Sequence, residues 1–104
     1  ASYIGIRGGD VSSEAIQLYN VPAGVVVTDV VENGPAADAG IEAGDIITEL
    51  DGRTISGMSQ LQQTLEYYAA GEKVDVVIQR SGDNGYEAKT VSITLGAAKD
   101  MQNQ

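Results

Sequence analysis

The chain contains no histidine and no cysteine. A Ser-His-Asp triad, a Cys-His pair and an imidazole or thiolate metal site are therefore out of reach. No disulfide or CxxC pair speaks to the redox compartment either. Phenylalanine and tryptophan are also missing, and all 5 aromatic residues are tyrosines, so the core has to be aliphatic. Only 6 Lys and Arg stand against 15 Asp and Glu, for a net charge of −9. Such a field repels phosphate backbones and anionic lipid surfaces, which removes nucleic acid from the expected partners. No apolar run approaches the roughly 18 residues that a membrane-spanning helix needs. The chain opens on strand-like sequence with no signal peptide, so it reads as one domain of a longer protein.

A Ser-Lys pair or a carboxylate dyad would be the remaining catalytic options. Lys73, Lys89 and Lys99 fall on strand ends or on the tail, away from any candidate nucleophile. No catalytic residue, metal ligand or cofactor is expected. The run Gly5-Ile6-Arg7-Gly8-Gly9 has neither the dinucleotide fingerprint nor the P-loop spacing. Asp83-Asn84-Gly85 lacks the spaced oxygen ligands of a calcium loop and reads as a turn.

What is present fits one compact domain: 104 residues with 42% hydrophobic content. Tyr3 to Arg7 reads as a strand with Ile4 and Ile6 on one side and Tyr3, Gly5 and Arg7 on the other, ended by Gly8-Gly9. Ser12 or Ser13 caps a brief helix around Ala15 to Tyr19, which Asn20-Val21-Pro22 stops. The β-branched run from Gly24 to Val31 predicts a central strand. Asn33-Gly34-Pro35 turns the chain into a one-turn helix, Ala36 to Ala39, closed by Gly40 in the left-handed conformation. Asp45 to Leu50 is a strand, and Asp51-Gly52 a tight hairpin into Arg53-Thr54-Ile55. Met58, Leu61, Leu65 and Tyr68 recur at the spacing of an amphipathic helix over 58–68, ended by Gly71. Lys73 to Arg80 and Glu87 to Leu95 form a closing hairpin. The domain is expected over 1–96, with 97–104 a polar, frayed tail.

Two segments combine into a more specific signal: the opening Tyr3-Ile4-Gly5-Ile6, and GPAADAGIEAGDIITELDG from Gly34 to Gly52. Together they resemble a PDZ domain of the circularly permuted bacterial kind attached to HtrA/Deg-type serine proteases, over nearly all of residues 3–95. The resemblance implies an α+β fold: a small, mostly antiparallel β-sandwich or partly open barrel of five to six strands with two main helices. It also implies that Tyr3-Ile4-Gly5-Ile6 is the carboxylate-binding loop and that the following strand accepts a peptide by β-augmentation. The physics agrees, because successive backbone N–H groups at a strand start can form an anion-binding nest and a glycine allows close approach.

By the same resemblance the helix over 58–68 forms the second wall, with Leu61, Leu65 and Tyr68 joining Ile4 and Ile6 around the ligand's last side chain. A stripe at helical spacing is also what plain core requires. Gln60, Gln62 and Thr64 could add hydrogen bonds. With no histidine at the head of the helix, selectivity for Ser or Thr two residues before the ligand's end is not expected. Arg7 could steer an anionic terminus, or simply be a solvated side chain. The Pro35–Gly52 motif reads as structural, with Asp45 bonding local amides.

The resemblance implies a regulatory peptide-binding module for C-terminal or unfolded segments. Its other partner would be the protease domain of the same parent chain, itself a homo-oligomer in the cell envelope, with or without a membrane anchor. The alternatives are the PDZ domain of a C-terminal processing protease or of a membrane metalloprotease, and a purely structural domain packed on its own parent.

Overall fold

The computed structural model describes residues 2–97. The chain order is β1 (Ser2–Tyr3), β2 (Ile6–Asp10), α1 (Ser13–Tyr19), β3 (Val25–Val30), α2 (Pro35–Asp38), β4 (Ile46–Leu50), β5 (Arg53–Thr54), α3 (Met58–Leu65), β6 (Lys73–Gly82), β7 (Gly85–Thr94) and β8 (Gly96–Ala97). The main sheet runs β2-β3-β4-β6-β7 with β5 paired to β4, every pairing is antiparallel, and the sheet stays open. A small second sheet joins the ends of the described chain, with Ser2 opposite Ala97 and Tyr3 opposite Gly96. The fold class expected from the sequence is found, as an open sheet with two longer helices, α1 and α3, and the one-turn α2.

The core is aliphatic, as the missing Phe and Trp required. Val25, Val27, Ile47, Leu50, Val76, Ile78 and Ile93 are buried along the sheet, and Leu61 and Leu65 of α3 pack against them. Ser12 caps α1 by accepting from the Ala15 N–H at 3.0 Å, and Asn20 ends the helix at φ 56°. Asp51 and Gly52 both take positive φ in the β4–β5 turn, the conformation that a two-residue hairpin favours.

Several boundaries move. The expected strand over Tyr3–Arg7 is broken at Ile4-Gly5, because Tyr3 pairs with β8 while Ile6 pairs with β3. Gly8 and Gly9 lie inside β2 and do not end it. Arg7 faces Asp29 and Gly8 faces Val27, so the ladder steps past Thr28 in a β-bulge. A Cβ on Gly8 would fall 2.4 Å from the Val26 carbonyl oxygen, so glycine serves this close approach. The run from Gly24 supplies an interior strand, while β4 holds the middle of the sheet. The long hairpin extends through Gly82 and Gly85, further than the apolar pattern predicts. Helix α3 stops at Leu65, after which Glu66, Tyr67 and Tyr68 donate to the carbonyls three residues back, tightening the last turn. The expected tail boundary at 96 falls within β8, and 98–104 lie outside the described residues.

Candidate functional site

Among the described residues, strand β2 pairs on one side only, and its other side faces α3. Three hydrogen-bonding details fix which of its backbone groups are free. The Val31 N–H donates to the Gly5 carbonyl (2.9 Å) while Ile6 lies opposite Val30. Val27, opposite Gly8, directs both its groups to the β4 side, donating to Asp45 O at 2.8 Å and accepting from Gly44 N–H at 2.7 Å. The Val11 N–H donates to Gly24 O (3.1 Å) while Asp10 lies opposite Val25. In an antiparallel ladder these arrangements mark pairs that exchange no bonds directly. Ile6, Gly8 and Asp10 therefore turn N–H and C=O outward, toward α3.

At the start of β2 the carbonyls are engaged and the amides are not. Ile4 O accepts from Ala36 N–H at 2.9 Å and Gly5 O from Val31, whereas the Ile4 and Gly5 N–H groups have no partner among the described residues. Gly5 sits at φ +85°, and a Cβ there would meet Pro35 Cδ at 3.2 Å and the Tyr3 ring at 3.3 Å. Backbone conformation and crowding both require glycine at this position. Helix α2 thus anchors the loop through Ala36 and Pro35, which gives the small-residue motif its role in holding the site.

Between this loop and α3 lies a hollow of about 370 Å³. Ser2, Tyr3, Ile4, Gly5 and Ile6 line one wall, and Met58, Leu61, Gln62, Leu65 and Glu66 the other. The surface is mostly apolar, and Glu66 is the one charged lining residue among the described residues. The structure thus brings together Tyr3, Ile4, Gly5, Ile6, Leu61 and Leu65 from the sequence-based set.

Arg7 and Tyr68 stand apart from it. Arg7 is exposed on β2 and does not line the hollow. The Tyr68 hydroxyl donates to Asp51 Oδ2 at 2.6 Å, which holds the phenol above its ordinary pKa of 10, and the ring packs partly buried against the core. Of the polar helix residues, Gln62 reaches the hollow, Gln60 accepts from the Ser56 N–H at 2.6 Å, and Thr64 is buried.

Three contributors were not evident from sequence. The buried Ser2 hydroxyl donates to Leu65 O at 2.7 Å, tying the end of α3 to β1. Asp10 Oδ1 accepts from the Met58 N–H at 2.7 Å, tying the start of α3 to the far end of β2. Glu66 sits at the lip of the hollow. None belongs to a local motif, since Ser2 and Leu65 lie 63 positions apart and Asp10 and Met58 48. The available hint was negative: α3 begins after Gly57, which has no side chain to cap it.

A family model for the PDZ domain matches residues 2–95. The periplasmic serine endoprotease DegP of Escherichia coli K12 is 35% identical over 103 residues, covering 97% of this chain and 20% of that protein. The chain thus spans about a fifth of the length of this relative. Among solved structures, the HtrA3 PDZ domain bound to a phage-derived ligand (FGRWV) superposes with a TM-score of 0.73 at 25% identity, covering 95% of this chain and 92% of that one. The HtrA-type protease AlgW with decapeptide gives a TM-score of 0.77 at 24% identity, covering 91% of this chain and 29% of that one.

Proposed function

The chain belongs to the PDZ domain family, and on that premise we propose that it captures the carboxyl end of a polypeptide as the recognition module of an HtrA-type serine protease. One observation carries this reading: an edge strand with outward backbone groups at Ile6, Gly8 and Asp10 borders an apolar hollow, with Ile4 and Gly5 amides at its end that have no partner among the described residues. The terminal carboxylate lodges on the Ile4, Gly5 and Ile6 amides, the last side chain enters the hollow over Leu61 and Leu65, and the peptide backbone extends the sheet. The HtrA3 PDZ domain, which shares this fold at 25% identity, is bound to a phage-derived five-residue ligand, which supports peptide binding here.

The parent protein is then an extracytoplasmic serine endopeptidase, in line with relatives named as periplasmic endoproteases. This domain delivers substrate to the protease domain or activates it, within a homo-oligomer. A few strand hydrogen bonds and one buried side chain have to offset the ordering of a flexible peptide, so affinity falls in roughly the micromolar range.

Peptides ending in Val, Leu or Ile, titrated with free and amidated ends and followed by amide chemical shifts, test the reading. The free forms should shift Ile4, Gly5 and Ile6, and amidation should weaken binding by roughly tenfold or more, as expected for losing hydrogen bonds to a charged group. Equal affinity for both forms would refute carboxylate capture. No binding by any peptide would instead favour a domain that packs on its own parent.

A further inference from the structure

Asp10 lies at the end of the groove opposite the carboxylate loop. Its Oδ1 accepts the first amide of α3, from Met58 at 2.7 Å, and Met58 itself lines the hollow. Its Oδ2 has no partner among the described residues, and the side chain is exposed. Gly57 makes room for it: a Cβ there would come within 2.8 Å of Asp10 Oδ1 and 3.2 Å of Oδ2. The carboxylate is therefore held in place by the helix amide with one acceptor oxygen left over. Among the described residues, no basic side chain lines the hollow.

We propose that Asp10 is a specificity-determining residue, selecting peptides that carry Lys or Arg at the second or fourth position before the last residue. The inference rests on the peptide-groove reading above and follows from its register. A ligand whose last residue pairs beside Ile6 meets Gly8 with the second residue before its end and Asp10 with the fourth. Side chains alternate between the two faces of a strand, so those two ligand positions share the face on which Asp10 reaches toward α3. The fourth lies directly across from Asp10 and the second diagonally, both within reach of a long basic side chain. Residues one and three before the end project to the opposite face. The general negative field rewards lysine anywhere along the peptide, whereas Asp10 rewards it with a period of two.

The test is a set of peptides with a free carboxyl end and a terminal valine, moving one lysine through the four preceding positions, with an all-alanine parent as the neutral reference. Lysine at the second or fourth position should bind about two- to five-fold tighter than at the first or third, the range of an exposed ion pair. In Asp10→Asn, whose amide oxygen can still accept from Met58, that alternation should vanish when each lysine peptide is read as a ratio to the neutral peptide's affinity for the same variant. A gain independent of position, or alternation that survives Asp10→Asn, would overturn the inference while leaving the groove intact. Loss of binding by the neutral peptide as well as the lysine series in the unaltered domain would overturn the groove reading and this inference together.

Discussion

At the scale of single residues, the best-determined interaction is one the site does not use. Arg80 Nε donates to Asp45 Oδ1 at 2.8 Å and Nη2 to Oδ2 at 2.7 Å, while the Glu42 amide donates to the same carboxylate at 2.8 Å. Burial pushes the Asp45 carboxyl up, but the Arg80 hydrogen bonds, the Glu42 amide and the Arg80 charge outweigh it and leave the pKa below its ordinary 3.8. A depressed folded-state pKa contributes stability that is complete above the unfolded value and is lost as pH falls through the folded one. Thermal melts should therefore show a loss of stability below about pH 4 that is smaller in Asp45→Asn. At neutral pH, Asp45→Ala should cost about 2–3 kcal/mol in urea unfolding, under the figure for a fully buried pair because the Arg80 side chain is 28% exposed. Gly5→Ala acts at the site itself. Forcing a side chain to φ +85° costs about 1–2 kcal/mol and disturbs the amides proposed to meet the carboxylate, so peptide affinity should fall along with stability.

At the scale of elements, α3 has two jobs that its sequence pattern does not separate. Leu61 is 1% exposed and Leu65 8%, and both line the hollow from the core side. Leu61→Ala should cost about 2–4 kcal/mol in urea unfolding. Leu65→Ala, nearer the surface, should lose less stability and a larger share of its affinity for peptides ending in a bulky aliphatic residue, read by peptide titration. The helix periodicity was legible from Met58 onward, but its end was not. Tyr68 continues the apolar stripe, yet its hydroxyl finds Asp51 across the fold and its backbone belongs to a tightened turn. The strand pattern at the N-terminus misled in the same way. Alternation of Ile4 and Ile6 suits a continuous strand, whereas separate partners, β8 and β3, split it at Gly5.

At the scale of the whole molecule, the two ends of the described chain meet beside the groove. Ser2 pairs with Ala97 and its hydroxyl reaches Leu65 O, so the groove floor depends on closure of the chain. Ser2→Ala should cost about 0.5–1.5 kcal/mol by removing one of the two hydrogen bonds to the Leu65 carbonyl, which keeps the Tyr68 N–H at 3.2 Å, and a domain lacking residues 2 and 3 should melt about 5–15 °C lower and lose peptide binding, as read by calorimetry and titration. The net charge of −9 acts over the same scale. Affinity for cationic peptides should fall more between 0.01 and 0.15 M salt than affinity for neutral ones, since the screening length shortens from about 30 Å to about 8 Å.

The amino-acid sequence alone determined the aliphatic core, the order of most elements and the absence of histidine and cysteine chemistry, because these follow from composition, periodicity and turn residues close together in the chain. The reading of Tyr3-Ile4-Gly5-Ile6 as a loop came instead from the family resemblance, since periodicity alone gives a continuous strand there. Tertiary structure decided which side of β2 is free, where the strand breaks, and that Ser2 and Asp10 fasten α3 at its two ends. Those outcomes are set by pairing between residues dozens of positions apart, where local pattern carries no information about the partner.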